Sequence, residues 1–558
     1  MRRRMLVLCA VPLIIFASAS GNGASAESTP GEQFVPPGPP TATSVGITFQ
    51  GGVGSMLPSY LAADSTAEGH QDAQGYSVVQ QSLCTGYDDA NCKSGATIYY
   101  LARLPVCADA LDLDCINGLF AIKSDGTKVN ATYVRNMPGK ISYPYQGNFD
   151  LGLPRPGTSG IWTIPGVTHG GGSDTYAVVV SLFSSASKVP GVSLTEPFIF
   201  GSFSAQIFPV NVVKGDYKAT SISTGSSPNG TMRLRWNLPG ATDSRVCAIV
   251  ADGECALRET FPMETAFGLS IRLSHGARGW FHGRISDPQI DYQSSPSQTS
   301  ITIQAFPVGV PIVSAWTERA NLPSVVPGGG AVPMPGTSMV GSAAGDYMMN
   351  LLRMWLPIVK DRAQASATEW NFGTLDSSEM EGADRCILDS KTLAGFVSTN
   401  STTYSSGPPR YNAATGSLDY SLVSPHFSSS GEIFKGVYTL KIRSDVARCI
   451  YNFSTSPIRA TVSVISESGI SSIATESVNE RDGWIQLTAS GFEFSNPTVR
   501  VKFWQDPEVA KVAVPVKIVR VVPKTPVARS RTITCVKGKK LRIIAAGSPK
   551  CPQGFRKR

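Results

Sequence analysis

Charge is scarce in this chain. Lys, Arg, Asp and Glu together make up 16% of its 558 residues, where soluble proteins carry about a quarter. That excludes a disordered polyelectrolyte, a coiled coil and a Lys/Glu-rich helical bundle. Histidine is rarer still, with five in the chain, and none of His70, His169, His275, His282 or His426 opens an H-E-x-x-H zinc motif. No serine stands in a G-x-S-x-G elbow, and neither a Walker loop nor a dinucleotide glycine fingerprint occurs. No stretch beyond the N-terminus is apolar for the roughly 20 residues that a membrane helix needs. What is plentiful is Gly (54) and Pro (39), beside an ordinary hydrophobic share of 42%. That combination implies a mainly β, turn-dense, multi-domain protein, and the length allows three or four domains.

Residues 1–26 read as a secretory signal peptide. Arg2, Arg3 and Arg4 precede the apolar stretch Leu6 to Phe16, and Ala24-Ser25-Ala26 forms the small-x-small cleavage site. Cys9 follows Leu8, which argues against a lipoprotein box. The mature chain is therefore expected outside the cell, secreted or at the surface, after cleavage near Ala26. Loss of Cys9 leaves ten cysteines in an oxidising compartment, an even number suited to disulfides. Cys84 and Cys92, Cys107 and Cys115, and Cys247 and Cys255 each have seven intervening residues, and Cys386 with Cys449 and Cys535 with Cys551 complete neighbour pairing. An odd interval suits a hairpin with the two cysteines opposed, although Asp252-Gly253 sits one position off the centre this needs. Cys92 with Cys107 is the competing pairing. None of these spacings is the C-x2–4-C of structural zinc, and no metal or cofactor is expected.

Short β-like runs separated by turn residues recur along the chain, which points to β-sandwich-like domains rather than parallel α/β sheets. A Pro/Gly-rich leader covers 27–44. One β domain is expected over 45–213 and a second over 214–320. A Gly/Pro linker follows at 321–345, then a short helix at 346–369, where Met348, Leu351, Leu352, Trp355 and Ile358 repeat at helical spacing and Pro357 would kink it. A third β domain spans 370–524, and a small basic two-cysteine module spans 525–558.

The basic residues are concentrated at the C-terminus. The last 48 residues hold 14 of the 49 Lys and Arg and none of the 41 acids, so that residues 5–510 are net −9. A basic tail on an acidic body implies contact with polyanions. The residues that would make it are Lys537, Lys539, Lys540, Arg542, Lys550, Arg556, Lys557 and Arg558. Alternation places Lys537 and Lys539 on one side of a strand, with Lys540 and Arg542 on the other.

The tail reads Thr532-Ile-Thr-Cys535-Val-Lys-Gly-Lys-Lys540, then Pro549-Lys-Cys551-Pro-Gln-Gly-Phe-Arg-Lys-Arg558. It resembles a terminal motif of exported actinobacterial cell-envelope proteins, ITCVKGK followed by PKCPxG(Y/F)KK, with Phe555 where Tyr is usual. The stretches Gly279–Arg284 and Arg443–Cys449 are similar to parts of other exported actinobacterial proteins without known activity. The resemblance implies an envelope location and no reaction.

Candidate chemistry in the body is sparse. His275 and His282 come nearest to a metal pair, but two ligands rarely suffice. Asp109, Asp112 and Asp114 read as a solvated acidic loop without the spacing and glycine of a calcium loop. One strand carries more. If Phe281 and Ile285 face inward, then Trp280, His282 and Arg284 face outward, joined by Arg272 and by Arg233 and Arg235. Such a face could stack on a sugar or hold an acid, or simply cover apolar surface with its arginine stems. No catalytic residue is singled out. The expectation is an exported, non-catalytic envelope protein, structural or adhesive, held to acidic wall polymers by its tail. The alternative is a surface protein that binds or processes polysaccharide. Cell-wall polyanions, and carbohydrate in the alternative, are the expected partners, with no nucleic acid and no membrane span in the mature chain.

Overall fold

The computed structural model describes residues 34–51, 57–71, 77–226, 232–237, 246–274, 276–295, 298–330, 332–341, 344–375, 379–405, 407–465, 471–473, 475–494, 497–505 and 531–558. The signal peptide, His275 and the side chains of Arg233 and Arg235 lie outside what is described. The chain forms two compact units, Met1–Asp506 and Pro507–Arg558. The fold is mainly β, with several sheets and short helices. No helix among the described residues is long and apolar enough to cross a membrane.

One continuous ladder runs through the larger unit. From one edge it pairs Ser77–Leu83, Tyr60–Gln71, Thr97–Arg103, Thr175–Ser187, Ser202–Lys214 and Ala365–Thr374. It continues through Gly279–Arg284, Leu393–Thr399, Lys435–Arg443, Trp484–Glu493 and Thr475–Arg481. A five-stranded sheet containing Cys115–Ile122, Ala266–Leu273 and Gln298–Phe306 covers one half of it. Ile98, Val178, Phe203, Phe281 and Phe372 meet Leu119, Leu269, Ile271 and Ile301 in that first core. A second sheet, containing Ser417–Val423, Arg459–Ile465 and Thr498–Trp504, covers the other half. There Trp280, Val397, Leu440 and Leu487 meet Leu418, Tyr420, Val462 and Val501. The body is thus two sandwiches that share one long sheet. Each fully buried aliphatic or Phe side chain contributes about 1.5–3 kcal/mol.

This pairing crosses the boundaries expected from sequence. The 213/214 boundary falls inside Ser202–Lys214, which pairs with Ala365–Thr374 from beyond the expected linker. Gly279–Arg284, from the expected second domain, lies between Ala365–Thr374 and Leu393–Thr399. The 321–345 stretch carries the strand Ser338–Gly341, parallel to Ser44–Phe49, and its Val326 is fully buried. The helix of 346–369 is shorter than expected, Asp346–Trp355. Pro357 has no N–H to continue it, and Ala365 already begins the next strand. Met349, Leu351, Leu352 and Trp355 pack on Val45, Ile47 and Val313 as a third small core.

Part of the glycine content is explained inside the sheets. Gly46, Gly268, Gly341, Gly395 and Gly436 stand in register opposite Trp316, Phe120, Phe49, Trp280 and Phe492. A Cβ on any of the five would come within 2.0–2.9 Å of the facing ring. The glycines make room for rings to lie across the neighbouring strand.

Five disulfides join Cys84–Cys92, Cys107–Cys115, Cys247–Cys255, Cys386–Cys449 and Cys535–Cys551. Of the three seven-residue intervals, only Cys247–Cys255 lies in a hairpin. There Cys247 pairs with Leu257 and Cys255 with Val250, with a bulge between Cys247 and Ile249, so the bonded cysteines lie diagonally across the hairpin and not opposed as expected. Cys92 lies in the short helix Ala90–Ser94, and Cys107–Cys115 closes an irregular loop.

Candidate functional site

The expected ligand face of Trp280, His282, Arg284 and Arg272 is not on the surface. Trp280 is 1% exposed, Arg284 3% and Arg272 7%. Alternation along Gly279–Arg284 holds, but both faces of the strand are covered: Phe281 enters the first core and Trp280 the second. Arg272 is spent on the loop closed by Cys107–Cys115. Its guanidinium donates to the carbonyls of Ala110 and of Asp109, the latter at 2.5 Å. The carboxylates of that loop are likewise engaged. Asp109 accepts from the backbone N–H groups of Leu111 and Asp112, and Asp112 from those of Ala108 and Asp109. Asp114, buried, accepts from the Ser274 backbone and hydroxyl.

Arg284, His282 and Tyr404 form an interior polar cluster. Arg284 donates to Glu369 at 3.1 Å and to the Thr402 carbonyl at 2.5 Å. Glu369 also accepts from Asn371 at 2.9 Å. The Tyr404 hydroxyl lies 2.8 Å from His282 Nδ1. Burial, reinforced by the charge of Arg284, pushes the His282 pKa down to about 4. Burial raises that of Tyr404. At neutral pH both groups are therefore uncharged, and the direction of their hydrogen bond is set by the imidazole tautomer. Gly51 presses on the cluster, since a Cβ there would lie 2.3 Å from the Glu369 carboxylate. Glu369, Asn371, Tyr404 and Gly51 have no local sequence signal, because strand pairing brings the first two to Arg284 and tertiary packing the others.

A second constellation escaped the sequence reading. The Ser173 hydroxyl lies 2.9 Å from His169 Nε2 and donates to Asn211 Oδ1 at 2.8 Å, and Asn211 in turn donates to Glu259 at 3.0 Å. It resembles a nucleophile with its base, but the tautomer is wrong. His169 Nδ1 accepts from the Gly171 N–H at 3.1 Å, which leaves the neutral ring's proton on Nε2, facing Ser173 and the Val210 carbonyl. The serine therefore faces a donor rather than a base. The group locks a turn. Cys84, Asp89 and Cys92 also converge, but the sulfurs are bonded to each other and Asp89 caps the helix between them.

The C-terminal unit presents its charge to solvent. Arg531–Lys537 and Lys540–Ala546 form a hairpin joined by Gly538-Lys539, with Arg556–Lys557 as a third strand. Gly538 has φ +59°, as the first position of a primed two-residue turn requires. Register corrects the expected faces. Lys537 pairs with Lys540, and Cys535 with both Arg542 and Lys557, so Lys537, Lys540, Arg542 and Lys557 share one face while Lys539 lies in the turn. Lys550, Arg556 and Arg558 are exposed as well. Cys535 is fully buried under its bond to Cys551, and the Arg542 guanidinium sits 5.7 Å from the Phe555 ring centre.

Comparison with protein families, with curated proteins and with solved structures finds no match for this chain.

Proposed function

We propose that this chain is an exported, non-catalytic envelope protein, structural or adhesive, held to acidic wall polymers by its C-terminal unit. The observation that carries this reading is the face of Lys537, Lys540, Arg542 and Lys557. Directly opposed like charges on a strand pair are unfavourable. Here Lys537 and Lys540 are opposed, and the sequence from 511 onward contains no acid to relieve them. A polyanion relieves that repulsion. The disulfide-rich β body suits an oxidising exterior, and the terminal motif's resemblance to actinobacterial envelope proteins agrees with that setting.

The test is retention of the full chain on a phosphate-rich or carboxylate-rich polymer as salt is raised. Exposed charges interact over about 8 Å at physiological salt and about 3 Å at 1 M. Retention is expected at low salt and should vanish toward 1 M. Lys537→Glu with Lys540→Glu and Arg542→Glu should elute far earlier. Unchanged retention in that triple variant, or retention indifferent to salt, would refute the anchor.

A further inference from the structure

The three-stranded sheet of the C-terminal unit has two unlike faces. Leu541 pairs with Val536, Ile543 with Thr534 and Ala545 with Thr532. These side chains alternate with Lys540 and Arg542 and therefore point to the opposite side. The basic side carries the Cys535–Cys551 bond and the Phe555 ring against Arg542. The other side is bare. Leu541 is 57% and Ile543 73% exposed, and Ala545 is exposed beside them. Among the described residues no strand pairs with the outer edge of Lys540–Ala546. Arg556, opposite Val536, shares this side, and Lys539 stands in the turn next to it.

An exposed apolar face rimmed by polar residues marks a contact surface. Its size limits the partner. Two seven-residue strands present a face of about 23 Å by 10 Å, far short of the roughly 800 Å² per partner in a stable protein interface. A second copy would also set like charge against like, because the sequence from 511 onward contains no acid. An acidic wall polymer answers the lysines and arginines but leaves Leu541 and Ile543 in water. An anionic lipid surface answers both. It takes apolar side chains into the boundary between head groups and acyl chains, and its phosphates attract Lys and Arg. Because the sheet is one layer thick, its basic face also acts on that surface, over a Debye length of about 8 Å at physiological salt. We infer that the C-terminal unit docks on an anionic phospholipid surface. Leu541 and Ile543 enter the interface, and Arg556 and Lys539 meet head-group phosphates. This goes beyond the polymer anchor: it uses the opposite face of the same unit, and each can fail without the other.

The experiment sediments the chain from Glu27 onward, which lacks the apolar Leu6 to Phe16 stretch, with lipid vesicles. One set contains equal parts phosphatidylglycerol and phosphatidylcholine, the other phosphatidylcholine alone. Binding to the anionic set is expected, with binding to the neutral set weaker by about tenfold or more. Leu541→Ser with Ile543→Ser should weaken anionic binding about tenfold, since affinity follows the apolar area taken from water. Retention of that variant on the acidic polymer should equal the parent's. Leu541→Trp keeps the face apolar and gives a readout that does not depend on lost binding. Its added emission should be quenched by lipids brominated in their acyl chains. Equal binding to both vesicle sets, unchanged binding of the double Ser variant, or unquenched emission would each overturn the inference. Lost vesicle binding with polymer retention intact removes this proposal alone, and the reverse removes only the anchor.

Discussion

Arg284 and Glu369 are in contact at 3.1 Å, with 3% and 11% of their side-chain surfaces exposed. They lie 85 residues apart in sequence. Removing one partner from such a pair strands a buried charge, which costs about 3–5 kcal/mol. Glu369→Ala should therefore lower unfolding stability by about that much in urea titrations. Arg284→Met combined with Glu369→Leu should lose clearly less, because neither charge then remains. A single-variant loss below about 1 kcal/mol would show that water reaches the guanidinium.

His282 should make stability depend on pH. Its pKa in the folded chain is about 4, down from 6.5, so between those values the unfolded chain holds a proton that the folded chain lacks. Stability from this group is full above about 6.5 and falls as pH drops toward 4, by up to about 1.4 kcal/mol per pH unit. The difference between the parent and His282→Gln isolates it from the carboxylates that titrate nearby. Denaturation at pH 4.5, 5.5 and 7 should give converging stabilities on acidification. A constant difference would contradict the low pKa.

Gly395 lies under Trp280, and a Cβ there would approach the indole to 2.2 Å. Gly395→Ala should cost about 1–3 kcal/mol by overpacking. Gly118, also within a strand, has nothing within 4 Å of its Cβ position. Gly118→Ala should be neutral, or stabilising by less than about 1 kcal/mol through the unfolded chain. Thermal unfolding of the two variants separates close packing from backbone entropy, and equal effects would discard the ring-over-glycine account.

Cys386–Cys449 spans 63 residues and ties the short helices Arg385–Leu388 and Ser444–Tyr451 together. In the chain-entropy description its removal costs about 4 kcal/mol, against about 2.5 kcal/mol for the eight-residue Cys84–Cys92 span. The Cys386→Ala/Cys449→Ala variant should melt below Cys84→Ala/Cys92→Ala. Non-reducing peptide mapping that joined Cys92 to Cys107 would break the assignment behind both figures.

Several features were legible in the amino-acid order itself. Abundant Gly and Pro with little charge define a β-rich chain, neighbouring cysteines are the bonded ones, and the acid-free terminal stretch marks the basic unit. These depend on composition and short spacing, which local chemistry controls. The domain boundaries and the character of Gly279–Arg284 did not follow. A period of two separates the two faces of a strand but cannot say what lies against each. In this protein one long sheet serves two sandwiches, so the face carrying Trp280 and Arg284 meets a second core instead of water. A buried arginine is tolerable there because the tertiary fold delivers Glu369 and the Thr402 carbonyl from distant segments. Long-range pairing, which no local pattern encodes, turned an expected surface into an interior.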